Sequence, residues 1–247
     1  MASDFLSNVE LYYCAYPVVD KNITIDGEEH HHIVDVMRHK TGDRIYVTNG
    51  QGIIFTAIVE EVAKKYLQAS IVESKPYRHE FSKITFCIPR LKNSERLEFA
   101  LEKCVELGIT NFIVFESARS IARGEKTDRW QKILLSAMKQ SLRAWLPKIS
   151  YIKHYNELLR IPGKKIVFDQ FAARTFHNYL STDNELMTSD NYFIFGPEGG
   201  LTEDELEEQR AECTGQSEII KVKLTENRLR SETAIVATAT LLSLNLQ

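Results

Sequence analysis

The stretch Gly196-Pro197-Glu198-Gly199-Gly200-Leu201-Thr202-Glu203-Asp204-Glu205 decides the fold. Just before it, Tyr192-Phe193-Ile194-Phe195 is a short apolar and aromatic run that reads as a strand buried on both faces. Just after it, Thr202 and Glu205 have the spacing of a capping box, in which the threonine hydroxyl and the glutamate carboxylate satisfy orphan N–H groups of a new helix. The glycines therefore sit at the carboxyl end of a strand and lead into a helix. Glycine and proline leave the backbone groups of such a loop uncovered, which suits the close approach of a flat ligand or a purely structural turn. Open α/β sheets bind ligands at the carboxyl ends of their strands.

Working outward, the same pattern repeats. Ile84–Ile88, Phe112–Phe115, Lys165–Asp169 and Ile219–Leu224 read as strands. Leu97, Ala100, Leu101, Cys104 and Val105 recur at helical spacing within Ser94–Leu107, and Gly108 is the stop. Asp128–Arg143 reads as a second helix ended near Pro147, and Glu232–Leu244 as a buried last helix, apolar on nearly every face. Strands alternating with helices imply a parallel sheet covered on both sides.

The first 75 residues differ. Arg44–Thr48, the turn Asn49-Gly50-Gln51-Gly52, Ile53–Val59 and Tyr66–Val72 are strands at close intervals, as in a small β-barrel. Glu73–Ser82, with Pro76, reads as a linker. The expected fold class is thus α/β, with a β-barrel domain over 1–75 and a parallel-sheet domain over 76–247. The run His30-His31-His32 points its side chains in different directions and lacks a second ligand cluster, so it reads as a solvated face with one packed histidine and no metal.

Composition bounds the function. A chain of 247 residues with 43% hydrophobic content has ample material for a core. A net charge of −3 argues against indiscriminate nucleic-acid binding, so any basic surface must be local. One exists: eight lysines and arginines against two acids between Arg119 and Lys148, with Trp130 and Trp145 as stacking surfaces or core residues. That is a footprint suited to a phosphate backbone. The six acids of Glu203–Glu212 read as helix N-terminal and surface charge. Cys14, Cys87, Cys104 and Cys213 lack metal or disulfide spacing and read as reduced thiols of a cytoplasmic protein. No run is long enough to span a membrane and no signal peptide is expected.

A second chemical stretch, Leu224-Thr225-Glu226-Asn227-Arg228-Leu229-Arg230-Ser231-Glu232-Thr233-Ala234, also comes after a strand and opens a helix. Two such loops from neighbouring strands can enclose one ligand. Arg230 and Glu232 stand at the mouth of the last helix, either as reactive groups or as a cap or mutual pair.

These two loops together resemble the paired loops of the RsmE family of bacterial 16S rRNA uridine-N3 methyltransferases. His32-Ile33, Val36-Met37-Arg38 and Gly42-Asp43 resemble its N-terminal segment. Lys92, Arg96, Glu98, Lys103 and Glu106-Leu107-Gly108 resemble its first catalytic-domain helix. Arg119-Ser120, Arg129–Lys132, Gln140-Ser141 and Arg143 resemble the family's next segment, on the C-terminal side of that helix. The resemblance implies a PUA-like barrel, a SPOUT domain with a C-terminal trefoil knot, a homodimer, S-adenosylmethionine as cofactor, and 16S rRNA of the small ribosomal subunit as methyl acceptor.

Carried over residue by residue, it implies Phe168, Phe195, Gly196, Pro197, Glu198, Gly199, Gly200, Leu224, Asn227, Leu229 and Thr233 at the cofactor. It implies Arg230 and Glu232 in catalysis, and Arg38, Lys92, Arg119, Arg123, Arg129 and Arg143 on RNA. Thr225 stands where the family commonly has glycine, and Lys139 where a glutamate is common. Two other functions fit the same features: a ribosome-binding module of this fold without catalysis, and a transfer-RNA methyltransferase.

Overall fold

A computed structural model describes residues 9–183, 185–212 and 218–245. Cys213 and the residues before position 9, on which the leader reading rests, lie outside them. The chain divides into two compact units: residues up to 79 with 135–146, and residues 80–134 with 147 onward.

The first unit holds β1 (Leu11–Tyr13), β2 (Asn22–Asp26), α1 (Gly27–His31) continued by a π-helical turn (His32–Val36), β3 (Arg44–Thr48), β4 (Ile53–Val62) and β5 (Tyr66–Pro76). The strands form a five-stranded sheet in the order β1-β3-β4-β5-β2, with β1 parallel to β3 and the other pairs antiparallel. The expected barrel is therefore a half-barrel whose β1 and β2 edges do not pair. Alternate residues of all five strands enter one core that includes Tyr12, Ile25, Val47, Val59 and Leu67, so the sheet must curl around it. Two register shifts between β4 and β5 supply local bending. Cys14 Sγ donates to Thr24 O at 3.1 Å, tying the chain just after β1 to β2. Both edge strands are too short and mixed in composition to stand out by pattern.

The reading of Glu73–Ser82 as linker fails over its first part, because Glu73–Pro76 pair with β4. The β3–β4 turn contains Gly52 at φ +86, where a Cβ would collide with the indole of Trp145. Trp145 donates Nε1–H to Tyr77 O at 3.0 Å and stacks on His79 with ring centroids 4.2 Å apart. His30 is buried with Nε2 against Ala63 O at 3.0 Å, while His31 faces Asp35. Among the described residues no three His, Cys, Asp or Glu side chains gather as a metal site.

The second unit begins with β6 (Ile84–Pro89) and α2 (Ser94–Glu106), then β7 (Asn111–Phe115) and α3 (Thr127–Gln140), whose C-terminal part belongs to the first unit. It continues through β8 (Lys148–Ile152), α4 (Tyr155–Leu159), β9 (Lys164–Phe168), α5 (Phe176–Thr182), β10 (Asn191–Ile194), α6 (Glu203–Glu212), β11 (Ile219–Val222) and α7 (Ser231–Asn245). Its six-stranded sheet is wholly parallel, in the order β11-β9-β10-β6-β7-β8. In the central register Phe193 lies between Phe86 and Ile166, all fully buried. Asn93 caps α2 by accepting the Glu95 N–H at 2.7 Å.

The sheet edge at β11 does not end the fold. The chain returns past the ends of β9 and β10, where Ser231 Oγ donates to Gly196 O at 3.0 Å, and α7 packs on α2. Sequential α/β connections do not make such a return.

Two expectations change with the fold, and one open alternative, Trp130 as stacking surface or core residue, is decided for the core. The helix expected to run to Arg143 stops at Gln140, with Leu142 at φ +55. Trp130 is fully buried under the Arg90 guanidinium and offers no stacking surface. Helix α7 buries Ile235, Thr238, Ala239 and Leu242 but leaves Leu244 68% exposed, so its apolar character is only half used.

Candidate active site

The loops after β9, β10 and β11 surround a cavity of about 930 Å³ at the carboxyl ends of the strands. Strand β10 leads into Phe195, which is buried and stacked parallel on Phe168 of β9 with centroids 4.7 Å apart, forming an aromatic floor. Gly196 lines the cavity, and a Cβ there would meet nothing within 4 Å. Pro197, Glu198 and Gly200 continue along the same wall. Gly200 has φ +71, and its N–H closes the turn onto Pro197 O at 2.9 Å. The capping box expected after the turn is present: Glu205 N–H reaches Thr202 Oγ1 at 3.3 Å and Thr202 N–H reaches Glu205 Oε2 at 2.8 Å.

The opposite wall comes from Leu224, Asn227, Leu229 and Arg230, with Thr225 Oγ1 donating to Asn227 O at 2.7 Å and so bending its own loop. Of the residues expected at the cofactor, Gly199 and Thr233 do not line the cavity; the place where Gly199 would carry a Cβ faces Arg119 Cβ at 3.2 Å. Asp169, Gln170 and Phe171 line it without having been singled out. They come directly after β9, and the rule that loops at strand carboxyl ends face the ligand crevice was the available signal.

Arg230 and Glu232 both line the cavity but do not pair with each other. Glu232 Oε1 instead lies 3.5 Å from Arg96 Nε, and Arg96 Nη1 lies 3.7 Å from Glu198 Oε1. Glu232 is 13% exposed at its side chain and its buried Oε2 has no hydrogen-bond partner. The Arg230 guanidinium makes no ion pair among the described residues. A buried acceptor oxygen, a cation outside any ion pair and an open glycine wall meet in one cavity, a set that suits a ligand bearing both a polar edge and a flat face.

The basic stretch is largely engaged within the protein. Arg119 Nη1 donates to Gly199 O and Leu201 O, Arg123 to Glu116 and Ala118 O, and Arg129 to both oxygens of Glu98. Lys139 pairs with Glu29 at 2.8 Å. Arg143 is half-buried in the turn after α3, whereas Arg38 and Lys92 are exposed. Burial works against the charge of Glu116, yet hydrogen bonds from Tyr151, Arg123 and the Gly124 N–H hold its carboxyl below the usual range. The Tyr151 hydroxyl is pushed up to about 12 by burial and by Glu116.

The class of this arrangement, an RNA methyltransferase domain with an RNA methyltransferase PUA domain, is given by the families the chain matches. Residues 78–243 match the model of the RNA methyltransferase domain, and residues 25–72 that of the RNA methyltransferase PUA domain. The chain belongs to the ribosomal RNA small subunit methyltransferase E family. It is 30% identical over 199 residues to the enzyme of that name from Bacillus subtilis, covering 74% of this chain and 77% of the relative. The Mesomycoplasma hyopneumoniae enzyme is 33% identical over 179 residues, 68% of this chain and 73% of its own. The crystal structure of the Neisseria gonorrhoeae enzyme of this name, bound to S-adenosyl methionine, has a TM-score of 0.80 at 26% identity over 96% of this chain and 98% of that one.

Proposed function

We propose that this protein methylates N3 of a uridine in 16S rRNA of the small ribosomal subunit, using S-adenosylmethionine bound in the cavity of the second unit. The observation that carries the reading is the meeting of the Gly196–Gly200 turn with the Leu224–Arg230 loop over the Phe168–Phe195 stack, with Glu232 and Arg230 beside them. When bound, the cofactor supplies an electrophilic methyl on a sulfonium. Backbone groups of Gly196, Pro197, Leu224 and Leu229 would hold it, and the wall at Gly196 is open, a Cβ there meeting nothing within 4 Å.

Uracil N3 carries a proton at neutral pH and lies on the pairing edge, so the base must be unpaired and deprotonated. Glu232 accepts that proton on the oxygen that has no partner, and Arg230 offers positive charge to the imide oxygens as the N–H bond breaks. Arg38 and Lys92 contact phosphates. The exposed and half-buried apolar residues of α7 support a homodimer. Among the described residues no helix is long and apolar enough to cross a membrane, and an rRNA substrate fits a cytoplasmic protein.

The test is transfer of labelled methyl to small ribosomal subunits, with transfer RNA as the competing acceptor and Gly196→Trp as the blocked control. Gly199→Trp is unsuitable, because position 199 faces Arg119 and not the cavity. Wild-type labelling of the subunit at uridine N3, lost in Gly196→Trp, supports the reading. Subunit binding without transfer favours a module that has lost catalysis, and absence of binding to both S-adenosylmethionine and its demethylated product removes the cofactor site.

A further inference from the structure

Two loops that lie far apart in sequence are cross-braced beside the cavity. From the loop after β7, Arg119 Nη1 donates to Gly199 O at 3.0 Å and to Leu201 O at 3.2 Å. From the start of α6, Glu205 takes the Ala118 N–H on Oε1 at 2.7 Å while its Oε2 holds the Thr202 N–H at 2.8 Å. The aliphatic part of Arg119 fills the space where Gly199 would carry a side chain, its Cβ standing 3.2 Å from that position. The outer side of the turn is thus clamped, while Gly196, Pro197, Glu198 and Gly200 line the cavity.

We propose that Arg119 is a positioning residue of the cofactor loop and not an RNA contact: it orders the Pro197–Leu201 turn before the cofactor arrives. A turn rich in glycine has more backbone freedom to lose than any other, and ordering it beforehand removes that cost from binding. Arginine suits the role because one planar guanidinium reaches two carbonyls from a stem that packs on Gly199. The proposal rests on reading the cavity as a cofactor site, but the brace itself is independent of that reading.

Hydrogen exchange of the cofactor-free protein separates the two. In Arg119→Ala, amides of Gly200–Thr202 should exchange on the order of tenfold faster, with Arg119→Lys intermediate. Titration calorimetry should show S-adenosylmethionine binding weakened by about tenfold in Arg119→Ala, while RNA affinity by filter binding stays within about twofold of wild type. Unchanged exchange in a folded Arg119→Ala protein overturns the brace. Weaker RNA binding with unchanged cofactor affinity makes Arg119 an RNA contact and equally overturns the proposal. A wild-type protein that binds no S-adenosylmethionine refutes the cofactor reading, and the exchange data still decide the brace.

Discussion

Glu232 is held by Arg96 on α2, at 3.5 Å, and not by Arg230 two residues before it. The two residues expected to act as a local pair are therefore divided: the carboxylate leans on another helix, and the Arg230 guanidinium faces the cavity without an ion pair among the described residues. Proton acceptance and charge stabilisation can then be supplied by separate groups.

Substitution should reveal that division. Arg230→Ala and Glu232→Gln are each expected to lower single-turnover methylation by at least about tenfold, a loss of about 1.4 kcal/mol in transition-state stabilisation, with cofactor affinity little changed. Raising the pH should recover part of the rate in Glu232→Gln, because ionisation of the uracil imide replaces the missing base; no recovery would mean that Glu232 orients its neighbours and takes no proton.

Arg96 touches Glu232 and Glu198 together, so its loss should affect both walls of the cavity. Arg96→Ala is expected to lower the single-turnover rate and weaken S-adenosylmethionine binding, each several-fold, with Arg96→Lys restoring part of both. Quench-flow methylation and calorimetry on the same preparations measure the two effects.

Arg123 and Arg129 are poor probes of RNA binding, because reversing their charge places a carboxylate against Glu116 or Glu98. Arg38→Glu with Lys92→Glu avoids this, since both side chains are exposed. The double variant should weaken RNA binding and reduce the slope of log affinity against log salt by about 1 to 2, with unchanged cofactor affinity. An unaltered slope would place the phosphate contacts elsewhere.

Acid stability should depend on Glu116. Its folded-state carboxyl lies below the ordinary value, so its contribution is present above the unfolded value and lost as pH falls through the lower folded one. Denaturant titrations at descending pH should show wild type losing stability more steeply than Glu116→Gln below the ordinary carboxylate range, the two curves converging in strong acid.

Local sequence determined much of this protein. The apolar runs marked β6, β7, β9 and β10 because both faces of a central parallel strand must be buried, which leaves no polar alternation to obscure them. The capping box placed the start of α6 from four residues, since its hydrogen bonds are local. The two loops of the cavity could be read from glycine content and position relative to a strand. Tertiary structure decided what distant residues do to one another. The three-residue β1 is a strand only because β3 offers it a parallel edge. Charge along the chain marked Arg119, Arg123 and Arg129 as a basic surface, but their acceptors lie on Gly199, Glu116 and Glu98, which only folding brings near. Periodicity likewise made α7 a buried helix, whereas the share covered is fixed by what packs on it, α2 on one side. A side chain's type sets what it can bond; which partner it receives is fixed by the return of the chain from β11 across the ends of β9 and β10, a path that no local interaction encodes.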